Sequence, residues 1–137
     1  MSRQATEHLI AAFVEAFNRA DNVAVLALLH DDVAFEMGQS GREIGVEKFR
    51  WLLATGAAHC KEQMANAVIL SSEDGMRGAV EFTWRGTYVA TIEDMPKASG
   101  QRFALQAAVL FEVDDGKITR LTSYRNIQEW IRQISEE

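Results

Sequence analysis

The polar side chains best placed to handle a small molecule are Tyr124 and Asn126, two residues apart near the end of the chain, with Glu36 and Gln39 near its middle. An asparagine amide donates and accepts hydrogen bonds but does not titrate, so Asn126 can orient a carbonyl or a water and cannot move a proton. Tyr124 adds a hydroxyl, and Glu36 is the carboxylate of the group. Each has a plainer reading. Asn126 directly precedes a helix beginning at Ile127 and can cap it. Tyr124 can be a core tyrosine with a satisfied hydroxyl. Gln39 lies in a Gly-bounded turn open to solvent, and Glu36 faces outward if Met37 faces inward. The three histidines, His8, His30 and His59, have no metal-site spacing. Cys60 is the single cysteine, which excludes an internal disulfide and a multi-cysteine metal site. Asp114-Asp115-Gly116 is too short for a calcium loop, and Gly38-Gln39-Ser40-Gly41 is no phosphate-binding fingerprint. No cofactor and no metal are expected.

These residues need one domain to hold them. The chain has 137 residues, 47% hydrophobic and 25% charged, which fits a single globular domain over 1–137. Fourteen cationic against twenty acidic residues give a net charge of -6. With no Lys/Arg cluster, nucleic-acid binding is disfavoured. No apolar run is long enough for a bilayer and no signal pattern opens the chain, so a cytoplasmic protein without a membrane partner is expected.

Hydrophobic spacing gives the elements. Leu9, Ile10, Phe13 and Phe17 predict an amphipathic helix from about Arg3 to Arg19. Asp21 can cap a short helix carrying Val25, Leu28 and Leu29. Val33 to Glu36 reads as a short strand, and a third helix opens at Gly45. From Ala65 the period turns toward two. Asp74-Gly75 predicts a hairpin, followed by a strand in which Val80, Phe82 and Trp84 alternate with Glu81 and Arg85, its inward face left open. Val89 to Gly100 is the longest connection, a lid or a plain hairpin extension.

The last hairpin is the most regular stretch. Phe103, Leu105, Ala107, Val109, Phe111 and Val113 alternate with more polar neighbours, and Asp115-Gly116 suits a two-residue turn. Pairing Asp114 with Lys117 and counting outward puts Val109 opposite Thr122, Ala107 opposite Tyr124 and Leu105 opposite Asn126 on one face. Leu110 with Leu121 and Gln106 with Arg125 fall on the other. Two leucines on that second face predict a covering partner, and a homodimer packed through the sheet is the simplest.

The phrases AFNRADNVAVLALLHDDVAFE, GREIGVEKFRWLL, VEFTWRGTY and FEVDDGKITRLTSYRNIQEWIRQI resemble the nuclear transport factor 2-like superfamily, within it the SnoaL-like and ketosteroid-isomerase-related branch. The resemblance implies an α+β fold: a cone-shaped, curved antiparallel sheet packed on three helices. It also implies an apolar pocket walled by Phe13, Phe17, Met37, Trp84, Leu105 and Val109, with Gln39 and Asn126 belonging to it. Ketosteroid isomerases use a tyrosine and two aspartates, and the matching positions here are Phe13, Met37 and Val109, none able to move a proton. In the cyclase and epoxide-hydrolase relatives an aspartate ends the last strand, where this chain has Tyr124-Arg125-Asn126. The reading is a cofactor-free, isomerase- or cyclase-type enzyme for a small apolar carbonyl compound, with Asn126, Tyr124 and Glu36 as its working residues. The alternative is a non-catalytic binding protein for a hydrophobic small molecule.

Overall fold

The computed structural model describes residues 2–37 and 41–135, so Gln39 lies outside the described residues. The Ser2 hydroxyl caps α1 (Arg3–Asn18) by accepting from the Ala5 N–H, and Asp21 caps α2 (Asn22–Ala27) by accepting from that of Ala24. The chain continues through β1 (Leu29–Glu36), the two-residue β2 (Glu43–Ile44), α3 (Val46–His59) and β3 (Cys60–Ser71). It ends with β4 (Arg77–Tyr88), β5 (Gln101–Asp114), β6 (Lys117–Arg125) and α4 (Ile127–Ser135).

The six strands form one curved α+β sheet in the order β2-β1-β6-β5-β4-β3. All neighbours are antiparallel except β1 and β6, which run parallel. The sheet is therefore mixed where an antiparallel one was expected; the chain between β1 and β6 supplies the long connection a parallel pair needs. Helices α1, α2 and α3 lie on the inner side as expected, and α4 packs along β5. In β4 the side chains of Val80, Phe82, Trp84 and Tyr88 are buried while Glu81 and Arg85 are exposed, which settles the inward face of that strand. Perpendicular ring pairs hold helix to sheet: Phe13 on Phe111 at 5.4 Å and Phe35 on Phe49 at 5.1 Å. The Val89–Gly100 connection is tied down by Tyr88, whose hydroxyl donates to the Pro96 carbonyl and accepts from the Ile92 N–H. Among the described residues no helix is long and apolar enough to cross a membrane.

The final hairpin decides which side chains face inward. Asp115 and Gly116 have φ of 49° and 77°, the double positive φ of the expected turn, and Asp114 pairs with Lys117. The expected register then breaks. Val113 pairs with Ile118 but Glu112 pairs with Arg120, so Thr119 is an extra residue and a β-bulge. Beyond it every partner is shifted by one: Val109 faces Ser123, Ala107 faces Arg125, and Leu110 faces Thr122. Because strand side chains alternate, one extra residue exchanges the two faces. Leu121, expected outside beside Leu110, is wholly buried against the inner core, while Leu110 stays outward with Val68 and Leu70.

Candidate active site

Between the helices and the inner face of the sheet lies a cavity of about 1150 Å³. Phe13, Phe17, Met37, Trp84 and Val109 line it, as the sequence suggested. Leu105 is buried opposite Trp84 but does not reach the cavity.

The bulge moves the expected polar pair out of this space. Tyr124 is 54% exposed on the outward row. Asn126 caps α4, its Oδ1 accepting from the Glu129 N–H at 3.0 Å. Glu36 also points outward, as strand alternation from the inward Met37 requires. It accepts from Arg42 at 3.1 Å and from the Thr122 hydroxyl at 3.0 Å, and these two bonds, Arg42 first, hold its carboxyl below the ordinary range. None of these three residues lines the cavity.

In their place the shifted register turns Ser123 and Arg125 inward, and the start of β3 brings in Cys60, Glu62 and Met64. Glu62 sits opposite Gly86, where a Cβ would run into the Lys61 carbonyl oxygen and the Phe103 ring. The Arg125 guanidinium lies 4.4 Å over the Trp84 ring, a contact worth about 0.5–2 kcal/mol. The other neighbours of Trp84 are Trp130, stacked at 5.8 Å, and Phe103, edge-on at 4.9 Å. Asn18 fixes the helical wall by a pair of bonds to β3, donating to the Met64 carbonyl and accepting from its N–H.

The electrostatics here are unusual. Arg125 makes no hydrogen bond and no salt bridge among the described residues, and its Nε is fully buried without an acceptor, as is the Trp84 indole nitrogen. Burial pushes the Glu62 carboxyl upward; Arg125 and the Trp84 N–H are close enough to oppose that shift without overcoming it. Burial also pulls the Arg125 guanidinium downward, against the attraction of Glu62. The Cys60 thiol is pushed up to about 12, chiefly by burial, which leaves it neutral and inert as a nucleophile. Lys61, Arg85 and Arg102 belong to the outward rows of the same strands and stand at the rim. No group of three His, Cys, Asp or Glu residues among the described residues could hold a metal ion. The site brings a carboxyl held high by burial, Glu62, together with the Trp84 N–H and the enclosed Arg125 Nε in a largely apolar cavity.

A family model for the SnoaL-like domain matches residues 10–121. The chain belongs to the SnoaL-like family. Among solved structures, this SnoaL-like domain is similar to a candidate polyketide cyclase from Xanthomonas campestris pv. campestris, with 41% identity, 96% of this chain and 98% of the other covered, and a TM-score of 0.94. A second candidate polyketide cyclase, from a Silicibacter species, is 38% identical over 99% of both chains, also with a TM-score of 0.94. An epoxide hydrolase-like protein of M. tuberculosis shares the SnoaL-like fold at a TM-score of 0.76 and 21% identity, covering 97% of this chain and 86% of that one. No curated protein matches the chain.

Sequence reasoning missed Glu62 and Arg125 for different reasons. Glu62 had a usable signal: Cys60, Glu62 and Met64 alternate, so extending β3 back to Cys60 places the glutamate between two inward apolar residues. Arg125 had no local signal, because its orientation depends on the bulge at Thr119.

Proposed function

We propose that this SnoaL-like domain is a cofactor-free enzyme of the isomerase or cyclase kind acting on a small apolar carbonyl compound, with Glu62 moving the proton. The observation that supports this reading is a carboxyl raised by burial beside the Arg125 guanidinium and the Trp84 N–H, in a cavity whose lining is mostly apolar surface. A raised carboxyl is suited to exchange protons nearer neutrality than a solvated one. The Glu62 carboxylate takes a proton from the carbon next to the carbonyl, and the electron pair passes to the carbonyl oxygen. The Trp84 N–H faces the resulting enolate oxygen, and the Arg125 guanidinium 4.4 Å from the Trp84 ring adds positive charge beside it, a fixed environment that stabilises developing charge. Glu62 then returns the proton to a different carbon, which isomerises the substrate. In a ring closure the enolate carbon instead bonds to a second carbonyl carbon, and the new alkoxide takes the proton. Neither route consumes an oxidant or a reductant. The polyketide cyclase description of the similar structures agrees with this class.

The test is solvent deuterium exchange at the α-carbon of aryl ketones and β-diketones, followed by NMR. Wild-type protein is expected to accelerate exchange, and Glu62→Gln to lose about a hundredfold or more of that acceleration. Thermal stabilisation by the same compounds with no exchange above buffer would select a non-catalytic binding protein instead.

A further inference from the structure

We infer that the molecule taken by this cavity is a carbonyl acid, whose carboxylate is held by Arg125 while its apolar body lies against the helices. The inference deepens the proposed function and rests on the reading of the cavity as a ligand site. It starts from a charge that no salt bridge satisfies among the described residues. A buried guanidinium is costly unless it is paired and hydrogen-bonded. The Arg125 side chain is half-buried with its Nε wholly enclosed, and it forms neither a salt bridge nor a hydrogen bond among the described residues. The groups around it are Ala107 across the strand pair, the Trp84 ring beneath, and Cys60 and Glu62 from β3. Cys60 stays neutral. Glu62 is the carboxylate among the cavity-lining residues, and it closes no salt bridge with Arg125.

The chemistry of the missing partner follows from the donor. A guanidinium presents two parallel N–H bonds in a rigid fork, and a carboxylate meets that fork with two oxygens where a lone ketone offers one. The charge balance of the site points the same way. The whole chain carries -6, yet the charged residues lining the cavity are Lys61, Arg85, Arg102 and Arg125 against Glu62 alone. Lys61, Arg85 and Arg102 are exposed and none is in a salt bridge among the described residues, so the rim presents a positive field to an arriving anion. The inner walls, Phe13, Phe49, Leu53, Met64 and Phe82, offer only apolar surface to the remainder of the ligand.

Calorimetric titration of the full chain with benzoylpropionate and with its methyl ester tests this directly. The acid is expected to bind about tenfold or more tighter than the ester, and Arg125→Gln to bring the two within about threefold. Equal affinities in the wild type overturn the carboxylate inference and leave the carbonyl pocket standing. A preference for the acid that persists in Arg125→Gln overturns the assignment to Arg125. Binding of neither compound overturns the pocket reading and this inference together. If Arg125→Gln does not fold by circular dichroism, Arg125→Lys takes its place: it keeps the charge, loses the fork, and is expected to weaken the preference by about threefold or more. An unchanged preference in that variant counts against the inference.

Discussion

Two arginines of β6, five positions apart, live under opposite conditions. Arg120, on the outward row, is saturated: its Nε donates to Glu112 at 2.8 Å, its Nη1 to the Thr122 hydroxyl at 2.9 Å, and Glu36 lies 3.9 Å away. The side chain of Arg125, on the inward row, makes no hydrogen bond or salt bridge among the described residues. Both sit on one strand in one sheet, so secondary structure does not explain the contrast. The outer cluster consists of opposite charges that satisfy one another, as a structural network does. The inner one sets a charge with no salt bridge beside a raised carboxyl and an indole N–H, the arrangement on which the proposed ligand site rests.

Removing each charge in turn gives the largest expected effect. Arg120→Met removes the donor to Glu112, which keeps Arg77, and to Thr122, and takes a nearby cation from Glu36, which keeps Arg42 and the Thr122 hydroxyl; it should cost about 1–2 kcal/mol. Arg125→Met breaks no hydrogen bond and replaces a buried charge by an apolar stem of similar reach. It should stay within about 0.5 kcal/mol of wild type or be more stable. Urea denaturation with an unchanged m-value measures both. An equal loss from Arg125→Met would show that its contacts with the Trp84 ring and Glu62 outweigh the cost of burying the charge, and would dissolve the comparison.

A smaller effect separates Arg125 from its neighbour. Asn126 was legible in the sequence both as a cap and as a pocket residue; in the structure it caps α4 and lies outside the cavity. Asn126→Ala should cost about 1 kcal/mol through lost capping. Titration with benzoylpropionate should show unchanged affinity, and a marked drop would return the residue to the site.

The adjacent pair shows where sequence reading succeeds and where it stops. Alternation over Phe103–Val113 and the Asp115-Gly116 turn were plain in the residues, and both were right because they rest on local sterics and a fixed period of two. From the turn, counting is reliable only while the ladder is regular. The bulge adds one residue at Thr119, a position flanked by Ile118 and Arg120 with no glycine or proline to mark it. Pattern reasoning therefore sent Tyr124 and Asn126 inward and Arg125 outward, the reverse of the structure. Leu121 held a clue. As a leucine, it is better explained by the core than by the outward face, and burying it beside Phe111 forces the shifted register. The walls Phe13, Phe17 and Met37, which the family resemblance implied, stand on α1 and just after β1, where the bulge in β6 does not reach them.

The finest distinction between the two clusters is their response to pH. Outside, hydrogen bonds from Arg42 and Thr122 hold the Glu36 carboxyl low, so ionisation favours the folded chain. Inside, burial holds the Glu62 carboxyl high against the pull of Arg125 and the Trp84 N–H, so ionisation opposes folding. The unfolded chain loses its Glu62 proton near the ordinary value of 4.5, while the folded chain keeps it to higher pH. Within that window the native state binds the extra proton, and stability falls as pH rises; below the window the penalty is absent, and above it the penalty is constant. Glu62→Gln carries no such penalty. Its melting temperature relative to wild type should therefore be level in acid and climb from about pH 4.5 upward to a plateau. A difference independent of pH would mean that Glu62 is as solvated as any surface glutamate. The inner cluster would then lose the raised carboxyl on which the proposed proton transfer rests.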